Sequence, residues 1–217
     1  MSGSLAKAAY DEILKRIVEG KYKLGEVLTE DSLTLELNMS RTPIREALRI
    51  LEKEGLIRKT NRSYTVLYLT PEEIEKLYEV RIELEGLAAK LATVRASERE
   101  LQDIQNILDD IKETTFSGKA EPVTLAELNG TFHDFIARAS ENEQLRECLI
   151  NIRLKLRVVR MTLFTSFDRM NEEYEEHRDI FNAIKSRNPD DAYKLMISHE
   201  TNVLEYLRKR IFPLYKA

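Results

Sequence analysis

Arg41, Arg45, Arg49 and Lys53 recur every four residues, and His133, His177 and His199 are the only histidines of this 217-residue chain. Cations at helical spacing can meet duplex DNA, with guanidinium forks reaching guanine O6 and N7 and the remainder reaching phosphates. Neutral imidazoles serve a different chemistry, as ligands for borderline divalent metals. Each set needs a scaffold that aims it. For the cations the scaffold is readable at once: Ile44, Ala47, Leu48 and Leu51 fall at i, i+3, i+4 and i+7, one apolar stripe of a helix, leaving the cations a separate face. Ser40 or Thr42 can cap that helix, Pro43 suits its first turn and Gly55 ends it. An ordinary solvated basic face is the alternative, and the flanking segments decide between the two.

Upstream, Ala6 to Val18 reads as an amphipathic helix with Leu5, Ala9, Ile13, Leu14 and Ile17 inward, and Met1–Ser4 as a disordered start. Gly20–Gly25 is a loop, Thr29 a cap, and residues 30–37 a short helix turning at Asn38-Met39 into the cationic one. Two short helices joined by a tight turn form a helix-turn-helix. Downstream, residues 56–69 hold two β-prone runs around a turn at Thr60–Ser63, a wing with Arg58, Lys59 and Arg62 near its tip. From Arg41 to Arg62 there are seven Lys and Arg against three acidic residues, although the chain carries a formal charge of −4. Local charge of this kind is the footprint of a groove-reading surface.

The histidines lie beyond Thr70, where no strand-like alternation occurs. Thr70-Pro-Glu-Glu73 is a helix start, and helices follow over roughly 71–93, 97–116, 121–139, 143–165, 171–187 and 190–211. Six helices with short connections predict an antiparallel bundle. Asn129 precedes His133 by one turn, so both share a face. If the last hairpin turns at Asn188, His177 and His199 each stand 11 residues away, about 16 Å along antiparallel helices and at the same height. Three imidazoles from three helices, with an amide oxygen beside one, make a site for Zn²⁺ or Ni²⁺.

Composition bounds the rest. The chain suits two domains, residues 1–69 and 70–217, the first with 12 basic and 10 acidic residues and the second with 22 and 28. Cys148 is single, which excludes an internal disulfide and suits a reducing cytoplasm; on its helix it reads as a small apolar packer. No run approaches a membrane span and no secretory leader is visible, so a cytoplasmic location is expected. A metal-dependent hydrolase would need a base, for which Glu85 and Glu127 are the candidates, but both read better as solvated or ion-paired helix residues. The chain carries no His-Glu-x-x-His run, nucleophile elbow or phosphate-cradling glycine loop. An enzyme is not expected.

Residues 1–69 resemble the winged helix of the GntR family of bacterial transcription regulators. The resemblance runs through Gly20, Leu24-Gly25, Leu28-Thr-Glu30, Leu33, Ser40-Arg-Thr-Pro-Ile-Arg-Glu-Ala-Leu48, Leu51, Glu54-Gly-Leu56 and Asn61-Arg62. It implies that Arg41, Thr42, Arg45 and Arg49 meet the operator while the wing tip with Arg62 enters the neighbouring minor groove. Asp31 departs from the basic residue of many relatives, and Ser63 from the usual wing glycine.

Residues 71–213 resemble the all-helical FCD ligand-binding domain of the FadR branch. This rests on Tyr78-Glu-Val-Arg81, Leu84-Glu85, Ala88-Ala89, Asn129, Phe132-His133, His177, Ile180, Ala183-Ile184, Ala192 and His199. The resemblance implies a divalent metal held by Asn129, His133, His177 and His199, with Asn where Asp is commoner and hence weaker or differently selective binding. It also implies that Arg81 faces an effector cavity. Arg157 lies on the helix expected to line it, with a surface arginine in the run Arg153-Leu-Lys-Leu-Arg157 as the alternative. The whole reads as a mainly α homodimeric regulator, a repressor on a short palindromic operator in double-stranded DNA, released by a small carboxylate effector. A purely structural metal, or direct sensing of the metal, is the second reading.

Overall fold

The computed structural model describes residues 2–117, 121–161 and 167–213, which divide into two compact units, Met1–Leu69 and Thr70–Ala217. In the first unit, α1 (Ser2–Val18) packs on α3 (Arg41–Lys53). Ala6, Ala9, Ile13, Leu14 and Ile17 face inward. Two readings of this helix are corrected: it begins at Ser2, and Leu5 lies outside, 54% exposed, because Ala6 takes the inward position one residue on. α2 (Glu30–Leu37) opens on a capping box in which the Thr29 and Ser32 side chains each meet the other's backbone N–H, and it ends at Asn38 in the left-handed conformation, φ 51°. Asparagine tolerates that region at small cost, so the tight turn into α3 needs no glycine.

α3 buries Pro43, Ile44, Ala47, Leu48 and Leu51, and Gly55, at φ 69°, lets the chain reverse directly after it. β2 (Ile57–Thr60) and β3 (Ser63–Val66) are the two strands of the wing, with Ile57 opposite Val66 and Thr60 opposite Ser63. A third strand, β1 (Val27–Thr29), pairs antiparallel with β3, giving the order β1-β3-β2. Three residues are too few to show alternation, which is why sequence reading took this segment only as a lead into the cap. Tyr64 and Val66 of the central strand point inward onto the helices.

The second unit is helical throughout its described residues: α4 (Pro71–Arg95), α5 (Glu98–Phe116), α6 (Pro122–Ala139), α7 (Glu143–Met161), α8 (Phe167–Lys185) and α9 (Pro189–Tyr206). α9 widens into a π turn over Leu207–Ile211. Capping boxes at Thr70/Glu73 and Ser97/Glu100 start α4 and α5, and Asn188 caps α9. α8 begins four residues earlier than its sequence reading, and residues 162–165, read as the end of α7, lie outside the described residues. α4 is central, packing against α6, α7, α8 and α9, so its inner face meets several other helices where most cores hold only hydrocarbon. Cys148 is exposed rather than packed, a correction: Leu145 and Leu149 on either side of it take the inward face of α7. No described helix is long and apolar enough to cross a membrane.

Candidate nucleic-acid interface and metal centre

The apolar stripe of α3 fixes its rotation, and the cationic face follows from that. Arg41, Thr42, Arg45 and Arg49 are exposed, as is Arg62 between the wing strands. A concavity of about 440 Å³ is lined by Arg41, Arg45 and Arg49 on one side and by Lys59, Asn61 and Arg62 on the other. Asn61 turns the wing at φ 54°, and Ser63, in place of a glycine, donates its hydroxyl to the Thr60 carbonyl at 3.0 Å. Two acidic residues from the start of α2 line the same hollow. Glu30 holds Arg45 at 2.7 Å, and Asp31 sits 3.0 Å from Arg41. That arrangement aims the guanidiniums while leaving them in reach of a larger polyanion.

In the second unit, α6, α8 and α9 bring His133, His177 and His199 together with no solvent exposure beyond 1%. One ring nitrogen from each lies within 4.8 Å of the others, and His177 Nε2 is 3.2 Å from His199 Nε2. Phe132 stacks on the His177 ring at 4.4 Å and holds it in place. Burial pushes all three imidazoles below their ordinary value, His133 to about 3, so they are neutral bases. Their outer edges are oriented by carboxylates: His199 Nδ1 donates to Glu176 at 2.7 Å, and His133 Nδ1 lies 3.3 Å from Glu85. With its proton on Nδ1, His199 presents a bare Nε2 lone pair to the centre, the arrangement that fixes metal-ligating histidines. Asn129 is 1% exposed; its amide donates to the Leu125 carbonyl at 2.7 Å, and its Oδ1 has no hydrogen-bond partner among the described residues. Three neutral nitrogens and an unpartnered carbonyl oxygen fit a borderline divalent cation.

Around the imidazoles lies a buried ionic network that sequence reading foresaw only in part. Arg81 is fully buried between Glu200, at 2.7 Å, and Glu85, at 3.3 Å. Its expected role as a direct effector grip is therefore corrected: its Nε and Nη2 face the two carboxylates, and Nη1 donates to the Tyr78 hydroxyl at 3.4 Å. Glu85 is ion-paired, one of the two readings the sequence offered, and it is buried rather than solvated. Arg153 grips it through Nε and Nη2 at 2.8 and 2.7 Å. Burial alone would raise its pKa, but Arg153, His133 and Arg81 together hold it well below the carboxylate range. Glu200 goes the other way, to about 7, because burial outweighs Arg81 and Arg160. Arg157 is half-buried, 3.2 Å from Glu127, and lines a concavity of about 520 Å³ between α6 and α7 with Arg153 and Arg160. Arg160 is 6% exposed, and its two terminal nitrogens have no hydrogen-bond partner among the described residues; Nη1 lies 3.9 Å from Glu200. Arg153 and Arg160 could have been found from their spacing, since 153, 157 and 160 share a face of α7. Nothing in the sequence marks Glu200 apart from thirty-seven other acidic residues.

These geometries agree with what the chain resembles. Residues 5–66 match the gntR family of bacterial regulatory proteins, and residues 76–202 match the FCD domain. The chain belongs to the GntR family. An FCD domain forms its second part. GntR-family relatives span nearly its whole length. An uncharacterised HTH-type transcriptional regulator of Bacillus subtilis, YdhC, is 31% identical over 200 residues, 92% of this chain and 89% of the relative. The gluconate operon transcriptional repressor of the same organism is 29% identical, over 89% of this chain and 80% of that one. Among solved structures, Escherichia coli McbR/YncC superposes with a TM-score of 0.72 at 20% identity, covering 95% of this chain and 98% of the other. This GntR-family protein is a transcription regulator, and its relatives are regulators rather than enzymes.

Proposed function

We propose that this regulator is a homodimeric repressor acting in the cytoplasm, and that a small carboxylate effector sets its affinity for a short palindromic operator. The observation that carries the effector half is a concavity of the FCD domain between α6 and α7, where Arg153, Arg157 and Arg160 line a hollow of about 520 Å³ and Arg160 Nη1 lies 3.9 Å from Glu200, which borders the histidine cluster. Three guanidiniums around a largely apolar hollow suit an organic anion, because Arg pairs carboxylates in a planar fork. Asn129, His133, His177 and His199 would hold a divalent ion such as Zn²⁺ or Ni²⁺, which supplies positive charge and Lewis acidity beside that hollow. Arg157 and Arg160 orient the anion, while Arg81 keeps Glu85 and Glu200 in place. Repression as the direction is supported by the gluconate operon repressors among the relatives.

Dimerisation is supported by one helix face. Val80, Leu87 and Val94 recur every seven residues along α4 and are 52%, 38% and 71% exposed. An apolar strip of that period is the pattern of a helix–helix seam. Two copies would set their recognition helices roughly 34–36 Å apart, one turn of duplex DNA. The effector then acts by binding one spacing of the winged units better than another. The test is operator binding with metal-loaded protein across a panel of small organic acids. A single acid that weakens binding supports the reading; a panel without effect leaves the metal a structural role.

A further inference from the structure

The residues around the histidines differ in which edge of the imidazole they face, and that difference sorts the carboxylates. Glu85 and Glu176 stand behind the rings, at His133 Nδ1 and His199 Nδ1. Both are already engaged, Glu85 by Arg153 and Glu176 by Arg169 and Asn202. Glu200 stands in front. Its Oε1 lies 3.7 Å from His133 Nε2 and 3.9 Å from His199 Nε2, on the edge where the lone pairs converge. It is fully buried; its Oε1 is ion-paired with Arg81 Nη2 at 2.7 Å, and neither of its oxygens makes a hydrogen bond among the described residues.

We infer that Glu200 is an anionic ligand of the metal centre, supplying the negative charge that Asn129 does not. The inference rests on the metal reading above. Two ligands on one ion with bonds of about 2.0–2.2 Å stand about 3.4 Å apart at a tetrahedral angle and about 4.2 Å apart when opposite. The 3.2 Å between His177 and His199 Nε2, and the 3.7 and 3.9 Å from Glu200, all fall within or close to that range. Charge argues the same way. Three neutral imidazoles and an amide bring no negative charge to a divalent ion, and the buried cations around them, Arg81, Arg160 and Arg169, stand against the buried carboxylates Glu85, Glu173 and Glu200. In a dry, low-dielectric site a carboxylate touching the ion offsets its charge most strongly, and Glu200 is the one that stands on the lone-pair edge. Arg81, 2.7 Å from the same Glu200 oxygen, then serves as the outer partner that holds the ligand in position.

The experiment is metal binding by the full-length protein, stripped of metal, using Zn²⁺ and Ni²⁺ in chelator competition and Co²⁺ for its electronic spectrum. Glu200→Gln is expected to weaken Zn²⁺ at least 100-fold and to change the intensity of the Co²⁺ visible bands, with helical circular dichroism and DNA binding retained. Unchanged affinity and an unchanged Co²⁺ spectrum in a folded Glu200→Gln protein overturn the inference while leaving the histidine site standing. If wild type and His177→Ala alike bind no metal, the metal reading itself fails and this inference with it. Should Glu200→Gln not fold, a crystal structure of the Zn²⁺-loaded wild type decides. Anomalous density bonded to a Glu200 oxygen supports the assignment, and a separation beyond about 3 Å, well outside a zinc–oxygen bond, rejects it.

Discussion

Glu30 grips Arg45 through two nitrogens, Nε at 3.0 Å and Nη2 at 2.7 Å, so the middle arginine of the recognition helix is aimed by the helix before it. A pre-oriented fork loses less conformational freedom when it meets a base edge or phosphate. Arg45→Ala should therefore remove operator selectivity, costing about 1–3 kcal/mol or more of specific binding, while the fold is unchanged because the side chain is half-exposed. Footprinting is the check. An Arg45→Ala protein that still protects the same operator would place the reading surface elsewhere.

Asp31 does the opposite of its neighbour. It puts a negative charge, itself exposed, 3.0 Å from Arg41 within the concavity meant for phosphates. Asp31→Lys frees Arg41 and adds a cation, so non-specific affinity should rise and log K should fall more steeply with log salt, by about 0.9 for each further phosphate that is neutralised. Binding measured between about 50 and 200 mM salt would show it. An unaltered slope would mean that Arg41 does not reach a phosphate.

His177→Ala tests the centre without touching the winged unit. Ligand binding to the folded state at about one hundred times Kd adds about 2.7 kcal/mol of stability. For a protein of this size that corresponds to a Tm rise of about 5–10 °C. Wild type should show that rise with Zn²⁺ or Ni²⁺, and His177→Ala should show none while retaining operator binding by metal-free protein. An equal rise in both would move the metal away from the three imidazoles.

The winged half was legible because its signals are local: a stripe at helical spacing, caps and a turn can each be read within a few residues. β1 escaped because its pairing partner lies more than thirty residues away and its three residues show no alternation of their own. In the FCD half the histidines were legible through their rarity and their equal distance from the Asn188 turn. The ionic network was not. Arg81, Glu85 and Glu200 are common residue types on amphipathic helices, usually solvated, and only the meeting of α4, α6, α7 and α9 puts them at zero exposure. Buried charge is a property of the assembled core rather than of any one helix.

Acid should destabilise the metal-free protein, and the sign comes from the same cluster. His133, His177 and His199 lie below the free imidazole value of 6.5 when folded, so unfolding takes up protons once pH falls past that value, and the stability they contribute above it is lost. Glu200 opposes them. Raised from 4.5 to about 7, it contributes stability below pH 4.5 and loses it as pH rises through 7. Between those limits three imidazoles act against one carboxyl, a net uptake near two protons on unfolding, or on the order of 2–3 kcal/mol per pH unit at most. Chemical denaturation at about pH 7 and about pH 5, either side of the free imidazole value, should give a lower midpoint in the more acidic buffer. A flat profile would mean that the imidazoles are not held neutral.

Gly86 marks a close approach of α4 and α9, and it lies beside Glu85 on the inner face. A Cβ placed there would stand 2.9 Å from Ile197 Cδ1 and 2.9 Å from Tyr193 Cε2. Gly86→Ala gains up to about 1 kcal/mol from helix propensity, yet overpacking of this kind costs about 1–3 kcal/mol because a ring and a branched side chain must both give way. The balance is a loss of stability. It has a functional consequence as well, since Ile197 precedes His199 and Glu200 by less than one turn. Relieving the clash displaces α9 and with it two groups of the centre, which need positions good to a few tenths of an ångström. Gly86→Ala should therefore lower Tm and weaken Zn²⁺ binding together, measured on the same preparation. A raised Tm with undiminished metal affinity would show that α9 yields locally and that the centre does not depend on this helix contact.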